Sequence, residues 1–210
     1  MKVLVRLFSV LVAVGVIAYL FYQSVQNTRS APYAMDRGHF AGWTVATETA
    51  AAPSAPVLSV RPPRDIASGL FRQLFQRAAE SMSGPGTPGI ALVLQEEFQR
   101  SFAGATDLEG LAAAARASGV DGSGFVPRCM GLRRESAPGL TRQLYFVLFD
   151  APAFAQFRQR IASLGNANTT YDPAALSPVL FVAASDANFN SWLPLRADLD
   201  RDCVAPVEVE

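Results

Sequence analysis

The sequence predicts an α+β protein in three parts: an N-terminal transmembrane helix, a tether, and three helices packed with a small ferredoxin-like mixed sheet of order β-β-α-β-α-β. Three observations carry that prediction. Leu7 to Tyr22 reads LFSVLVAVGVIAYLFY, sixteen residues without a charge. Gln23 to Pro63 is rich in Ala, Thr, Ser and Pro and sustains no period of 3.6 or 2. From Arg64 onward helical spacing takes over, and after Gly124 it yields to apolar runs bounded by turn residues. The chain therefore divides into an anchor over 1–22, a tether over 23–63 and a domain over 64–210.

Ten residues of the apolar run are Leu, Val, Ile or Phe, worth roughly −3 to −6 kcal/mol on an insertion scale. Sixteen helical residues span about 24 Å against a hydrocarbon core of roughly 30 Å, and Val3 to Val5 lengthen the run if Arg6 snorkels. The rival is a cleaved signal peptide, but no small-residue cleavage site follows the run closely. Lys2, Arg6 and the terminal amine favour an inward N-terminus, a bias that Arg29 and Arg37 dilute. Lys2 is the only lysine beside seventeen arginines, and with abundant Ala this suggests a GC-rich bacterial genome. The expectation is a single-pass protein of the bacterial inner membrane, touching the bilayer through residues 3–22, with its C-terminal domain in the periplasm.

The tether would span on the order of 35 Å if flexible. Phe40 and Trp43 interrupt it, as contacts either to the membrane interface or to the domain. In the domain, Ile66, Leu70, Leu74, Ala78 and Met82 fall four apart, a helix stopped by Gly84-Pro85-Gly86. Thr87 and Pro88 open a second helix with Ile90, Leu94, Phe98 and Phe102 on one face, although IALVL also suits a strand. Thr106 and Glu109 have capping-box spacing for a third. Two strands, Phe125–Arg134 and Leu140–Phe149, flank a Pro-Gly turn. A helix over 151–164 follows, then a strand over 177–184, a short helix over 186–193 and a last strand over 203–209. LYFVLF is apolar at odd and even positions alike, so both faces of its strand should be covered.

Charge is balanced, 18 basic against 18 acidic residues, which removes any global pull toward nucleic acid. His39 is the only histidine and lies in the tether, so a Ser-His or Cys-His site in the domain is excluded unless the tether folds back, and a histidine-rich metal site is excluded outright. Cys129 and Cys203 are too far apart in sequence for a CxxC redox or zinc pair. In an oxidising compartment they should form a disulfide worth about 4 kcal/mol; two buried thiols are the alternative. Gly84 to Gly89 is glycine-rich but lacks the Gly-Lys-Ser/Thr of a phosphate loop. Asp198, Asp200 and Asp202 begin like a calcium loop, but Cys203 stands where Gly is needed and Val209 where Glu is needed. No metal or other cofactor is expected.

Two candidate sites remain. If the strands flanking helix 151–164 are parallel, Asp150, Ser185 and Asp186 share the carboxyl edge where open α/β sheets bind ligands, although capping a helix N-terminus also accounts for Asp150 and for the Ser185/Asp186 pair. Arg128 and Arg134 fall on one face of the first strand by period-two counting, with Arg142 beside them, as an anion or partner patch; a solvated strand face is the plainer reading. The functional expectation is a non-catalytic interaction or assembly domain bound to an envelope protein. The alternative is a small-ligand-binding or hydrolytic domain at the Asp150 and Asp186 edge.

Overall fold

The computed structural model describes residues 2–50, 52–78, 81–137, 140–166, 171–185 and 195–210. The chain separates into two units, Met1–Ala31 and Pro32–Glu210. The first is a continuous helix, α1 (Lys2–Ser30). Its apolar stretch gives out after Tyr22, and the helix continues through Gln23, Gln26, Asn27 and Arg29. Among the described residues no helix is long and apolar enough to cross a membrane. That overturns the transmembrane anchor over 1–22, and with it the single-pass inner-membrane location and the periplasmic placement deduced from it. The physical reason is length: sixteen helical residues rise only about 24 Å.

The second unit begins inside the segment expected to be a tether. Residues 33–61 hold β1 (Tyr33–Met35), a 3-10 turn at Arg37–Phe40, β2 (Thr44–Thr47) and β3 (Pro56–Arg61). Short strands escape a search for periodicity, but Tyr33 and Met35 of β1, Leu58 and Val60 of β3 and Trp43 just before β2 are core, all at most 5 % exposed. Trp43 donates from Nε1 to the His39 carbonyl at 2.6 Å and packs edge-on against Phe125 and Phe149. Its indole lies on Gly122, where an added Cβ would sit 2.4 Å from the ring. The two aromatics that interrupted the tether therefore belong to the domain.

Helix α2 (Arg64–Arg77) follows, shorter than its apolar spacing predicts, and buries Ile66, Leu70 and Leu74. IALVL is strand β4 (Ile90–Leu94) rather than the start of a helix. Helical structure resumes as one turn, α3 (Gln95–Glu97), running into a π-helix at Phe98–Phe102. Helix α4 (Leu108–Ala117) is capped by Asp107, which accepts from the Gly110 N–H at 2.7 Å, in place of the Thr106 cap. The hairpin is longer than predicted, β5 (Val126–Ala137) and β6 (Leu140–Asp150), and its turn lies outside the described residues. Then come α5 (Pro152–Ala162), β7 (Val179–Ala184), α6 (Leu199–Asp202) and β8 (Cys203–Val209). The helix expected over 186–193 also lies outside the described residues.

The strands form two sheets, β1-β8-β5-β6-β7 and β2-β3-β4. The ferredoxin-like arrangement is overturned. The five-stranded sheet is curled, and β6 and β7 on either side of α5 are antiparallel, so the unit contains no β-α-β crossover there. The reading of LYFVLF as covered on both faces agrees with the packing. Tyr145, Val147 and Phe149 enter the main core with Leu180, Val182, Phe154, Phe157 and the second sheet. Leu144, Phe146 and Leu148 form a smaller core with Val179, Phe181 and Leu195 on the other face. Gly131 makes that packing possible, since a Cβ there would stand 2.4 Å from the Phe146 ring.

Candidate functional site

Asp150 ends β6 and lines a cleft of about 420 Å³ together with Phe154, Gln159, Ser177 and Arg196. It does not cap α5; the N-cap is Ala151, which makes no side-chain hydrogen bond, with Pro152 in the first turn. The Asp150 carboxylate instead accepts from Arg128 at 2.5 Å, with both side chains about half exposed. Ser185 belongs to the opposite end of the sheet: its hydroxyl accepts from the Gln143 N–H at 2.9 Å, seven residues or roughly 23 Å along β6 from Asp150. Asp186 lies outside the described residues. The parallel arrangement that would have gathered these three does not occur, because β7 returns antiparallel to β6.

The arginine set is dispersed as well. Arg128 sits at the Asp150 end, where β5 carries a register shift between Pro127 and Cys129 that breaks simple alternation. Arg134 stands opposite Gln143 and Arg142 opposite Glu135, so the two project to opposite faces of the hairpin. These residues form no single patch.

The aspartates near the C-terminus hold structure. Asp198 caps α6, accepting from the N–H groups of Asp200 and Arg201. Asp202, 2 % exposed, accepts from Arg133 at 2.6 Å and 3.1 Å, from Arg201 and from the Asp198 N–H. Burial alone would raise its carboxyl, but the hydrogen bonds from Arg201 and Arg133 outweigh it and hold the group well below the usual carboxylate range. Among the described residues no group of three or more His, Cys, Asp or Glu could hold a metal ion.

The glycine-rich loop forms one wall of a wider cleft of about 690 Å³, with Arg61, Ser68 and Phe71 on the others. Among the described residues that line this cleft, the one charged group, Arg61, is committed: Nε donates to Glu48 at 2.9 Å and the terminal nitrogen at 2.5 Å. Ser83 exchanges both backbone hydrogen bonds with Ala184, which pins the loop to β7.

The most concentrated chemistry in the unit is a buried ion pair that the sequence reading missed. Arg158 on α5 is 0 % exposed and Glu97 6 %. All five donors of Arg158 are used: two to the Glu97 carboxylate at 2.7 and 3.0 Å, and one each to the carbonyls of Leu92, Asp172 and Pro173 at 2.9 to 3.0 Å. Glu97 also accepts from the Leu94 N–H at 3.0 Å. Tyr171 covers the guanidinium with its ring centroid 4.9 Å away. Burial pushes the Tyr171 phenol above its ordinary range, and the nearby Arg158 charge only partly offsets this. A signal was present in the sequence: Arg158 falls four after Phe154 and three before Ile161, on the apolar face of its helix.

Cys129 and Cys203 are bonded, joining neighbouring strands β5 and β8 with their Cα atoms 5.7 Å apart. In the other unit, the large apolar side chains Leu11, Val12, Val14, Val16, Ile17, Tyr19, Leu20, Phe21 and Tyr22 are 49 to 71 % exposed. No known family model, curated protein or solved structure matches this chain.

Proposed function

We propose that this chain is a non-catalytic interaction and assembly protein: α1 is its docking element and the unit Pro32–Glu210 is the module it brings to the assembly. The observation that carries this reading is the exposure of the nine apolar side chains on α1. Leu11, Val12, Val14, Val16 and Ile17 alone point around the full circumference at 100° per residue. A lone helix with this surface has to be covered.

The magnitude decides what kind of partner fits. Nine side chains leaving roughly 100 Å² each in water present on the order of 900 Å², worth about 20 kcal/mol gross at ~25 cal/mol/Å² if fully buried. Association costs about 4–15 kcal/mol. Covering half the helix would then leave little net affinity, so the partner is one that surrounds α1, a deep groove or several helices. The cleft at Asp150 gives the ligand-binding alternative less support, because its carboxylate is already engaged by Arg128.

The test is a photo-crosslinking residue at Ile17 or Phe21 in the full chain, in intact cells. The reading expects one defined protein adduct, lost when Leu20 and Phe21 are both replaced by Asp. Adducts to lipid alone, or none, would sink it.

A further inference from the structure

We infer that the Cys129–Cys203 disulfide is a redox latch on the C-terminal strand, closing a seam that the remaining contacts hold only loosely. The inference does not depend on what α1 docks against. β5 meets β6 over eleven register pairs, yet meets β8 over three, Cys129↔Pro206, Met130↔Ala205 and Gly131↔Cys203, with a register shift among them. Pro206 has no N–H to give to that ladder. The outer half of β8 pairs only with β1, through Tyr33↔Val207, Ala34↔Glu208 and Met35↔Val209.

The two sides of this strand pair are not held alike. Gln73 on α2 grips β1, donating to the Ala34 carbonyl and accepting from the Ala34 N–H, each at 2.9 Å. Arg77 adds a bond to the Pro32 carbonyl at 2.7 Å and stacks over Tyr33. Among the described residues no side chain grips β8 in a comparable way along its length. What remains when the disulfide opens is these two three-pair ladders, the backbone bonds of Glu210 to Met35 and Arg37 just beyond the strand, and the ion pair between Arg133 on β5 and Asp202, the residue just before β8. The strand would then swing about a hinge at Asp202 and could close again. Opening uncovers Ala205 and Val207, which are 6 % and 8 % exposed when the latch is shut.

The reductant is a dithiol. One of its thiolates attacks Sγ of Cys203, the more exposed partner, forming a mixed disulfide and releasing Cys129 as a thiolate that takes up a proton. The second thiol then displaces Cys203. Two electrons and two protons pass to the protein sulfurs, and the dithiol leaves as its cyclic disulfide.

Hydrogen exchange on the full chain before and after dithiothreitol tests this, with thiols counted by alkylation. Latching predicts that amides of Val204, Ala205 and Val207 to Val209 exchange at least tenfold faster once the bond is reduced. Those of Ala34, bonded to Gln73, and of Leu144 to Leu148 in β6 should keep their rates. The Cys129→Ala/Cys203→Ala variant should match the reduced protein; if it does not fold, the reduced wild type decides. Unchanged β8 exchange, equal acceleration in β6, or a bond that dithiothreitol leaves intact in the native state would each overturn the inference.

Discussion

Replacing Arg158 by Met should be among the most damaging single changes in this protein. The substitution keeps an unbranched apolar stem at a fully buried position of α5 but removes the guanidinium. Glu97 is then left buried with the Leu94 N–H as its remaining partner, and the carbonyls of Leu92, Asp172 and Pro173 each lose a donor. Breaking one side of a buried pair costs about 3–5 kcal/mol. We therefore expect about 4 kcal/mol, a large share of the 5–15 kcal/mol that typically holds a domain together. At a urea m-value of about 2–3 kcal/mol/M the midpoint should fall by roughly 1.5 M. The second arm is Arg158→Met with Glu97→Leu, which removes the stranded charge and should recover about 2 kcal/mol, since an ion pair can often be replaced whole at less cost than it can be halved. A cost below about 1 kcal/mol for the single variant, or a double variant whose cost is the plain sum of its parts, would refute the reasoning.

Three further outcomes are open to measurement. Asp202→Asn should flatten the acid limb of the stability curve: a carboxyl depressed in the folded state stabilises above its unfolded value of about 3.9, and loses that contribution as pH falls through the folded value, so urea midpoints of wild type and variant should converge below pH ~4. Gly131→Ala should cost about 2–3 kcal/mol, because its Cβ would meet the fully buried Phe146 ring at 2.4 Å and the β5–β6 ladder cannot move aside; calorimetry reads this as a lowered Tm. Gly69→Ala should instead stabilise by about 0.5–1 kcal/mol, since it lies inside α2 and nothing stands within 4 Å of the added atom.

Much of the domain was legible because periodicity survives in sequence. α5 and the face it buries, the position of β8, and the double-sided character of β6 all follow from where Phe, Leu, Ile and Val fall. β1, β2 and β3 were not legible, since strands of three to six residues among Ala, Pro and Thr carry too few positions for a period to emerge. β4 was misjudged because Ile90, Leu94, Phe98 and Phe102 lie at helical spacing although the chain changes from strand to helix between them. The candidate edge failed at one step: Asp150, Ser185 and Asp186 converge only if β6 and β7 run parallel, and local sequence does not encode strand direction.

The sequence by itself determined the apolar, uncharged stretch Leu7 to Tyr22 inside the N-terminal helix, the buried face of α5 and the burial of β6 on both of its faces. These are properties of residue type and spacing, which persist whatever the chain folds against. Only the tertiary structure decided that residues 33–61 are strands of the domain, that Arg158 and Glu97, 61 residues apart, neutralise each other in its interior, and that Cys129 and Cys203 lie on neighbouring strands. Each of these depends on contacts between distant segments, whose energy is realised only once the chain has closed around them.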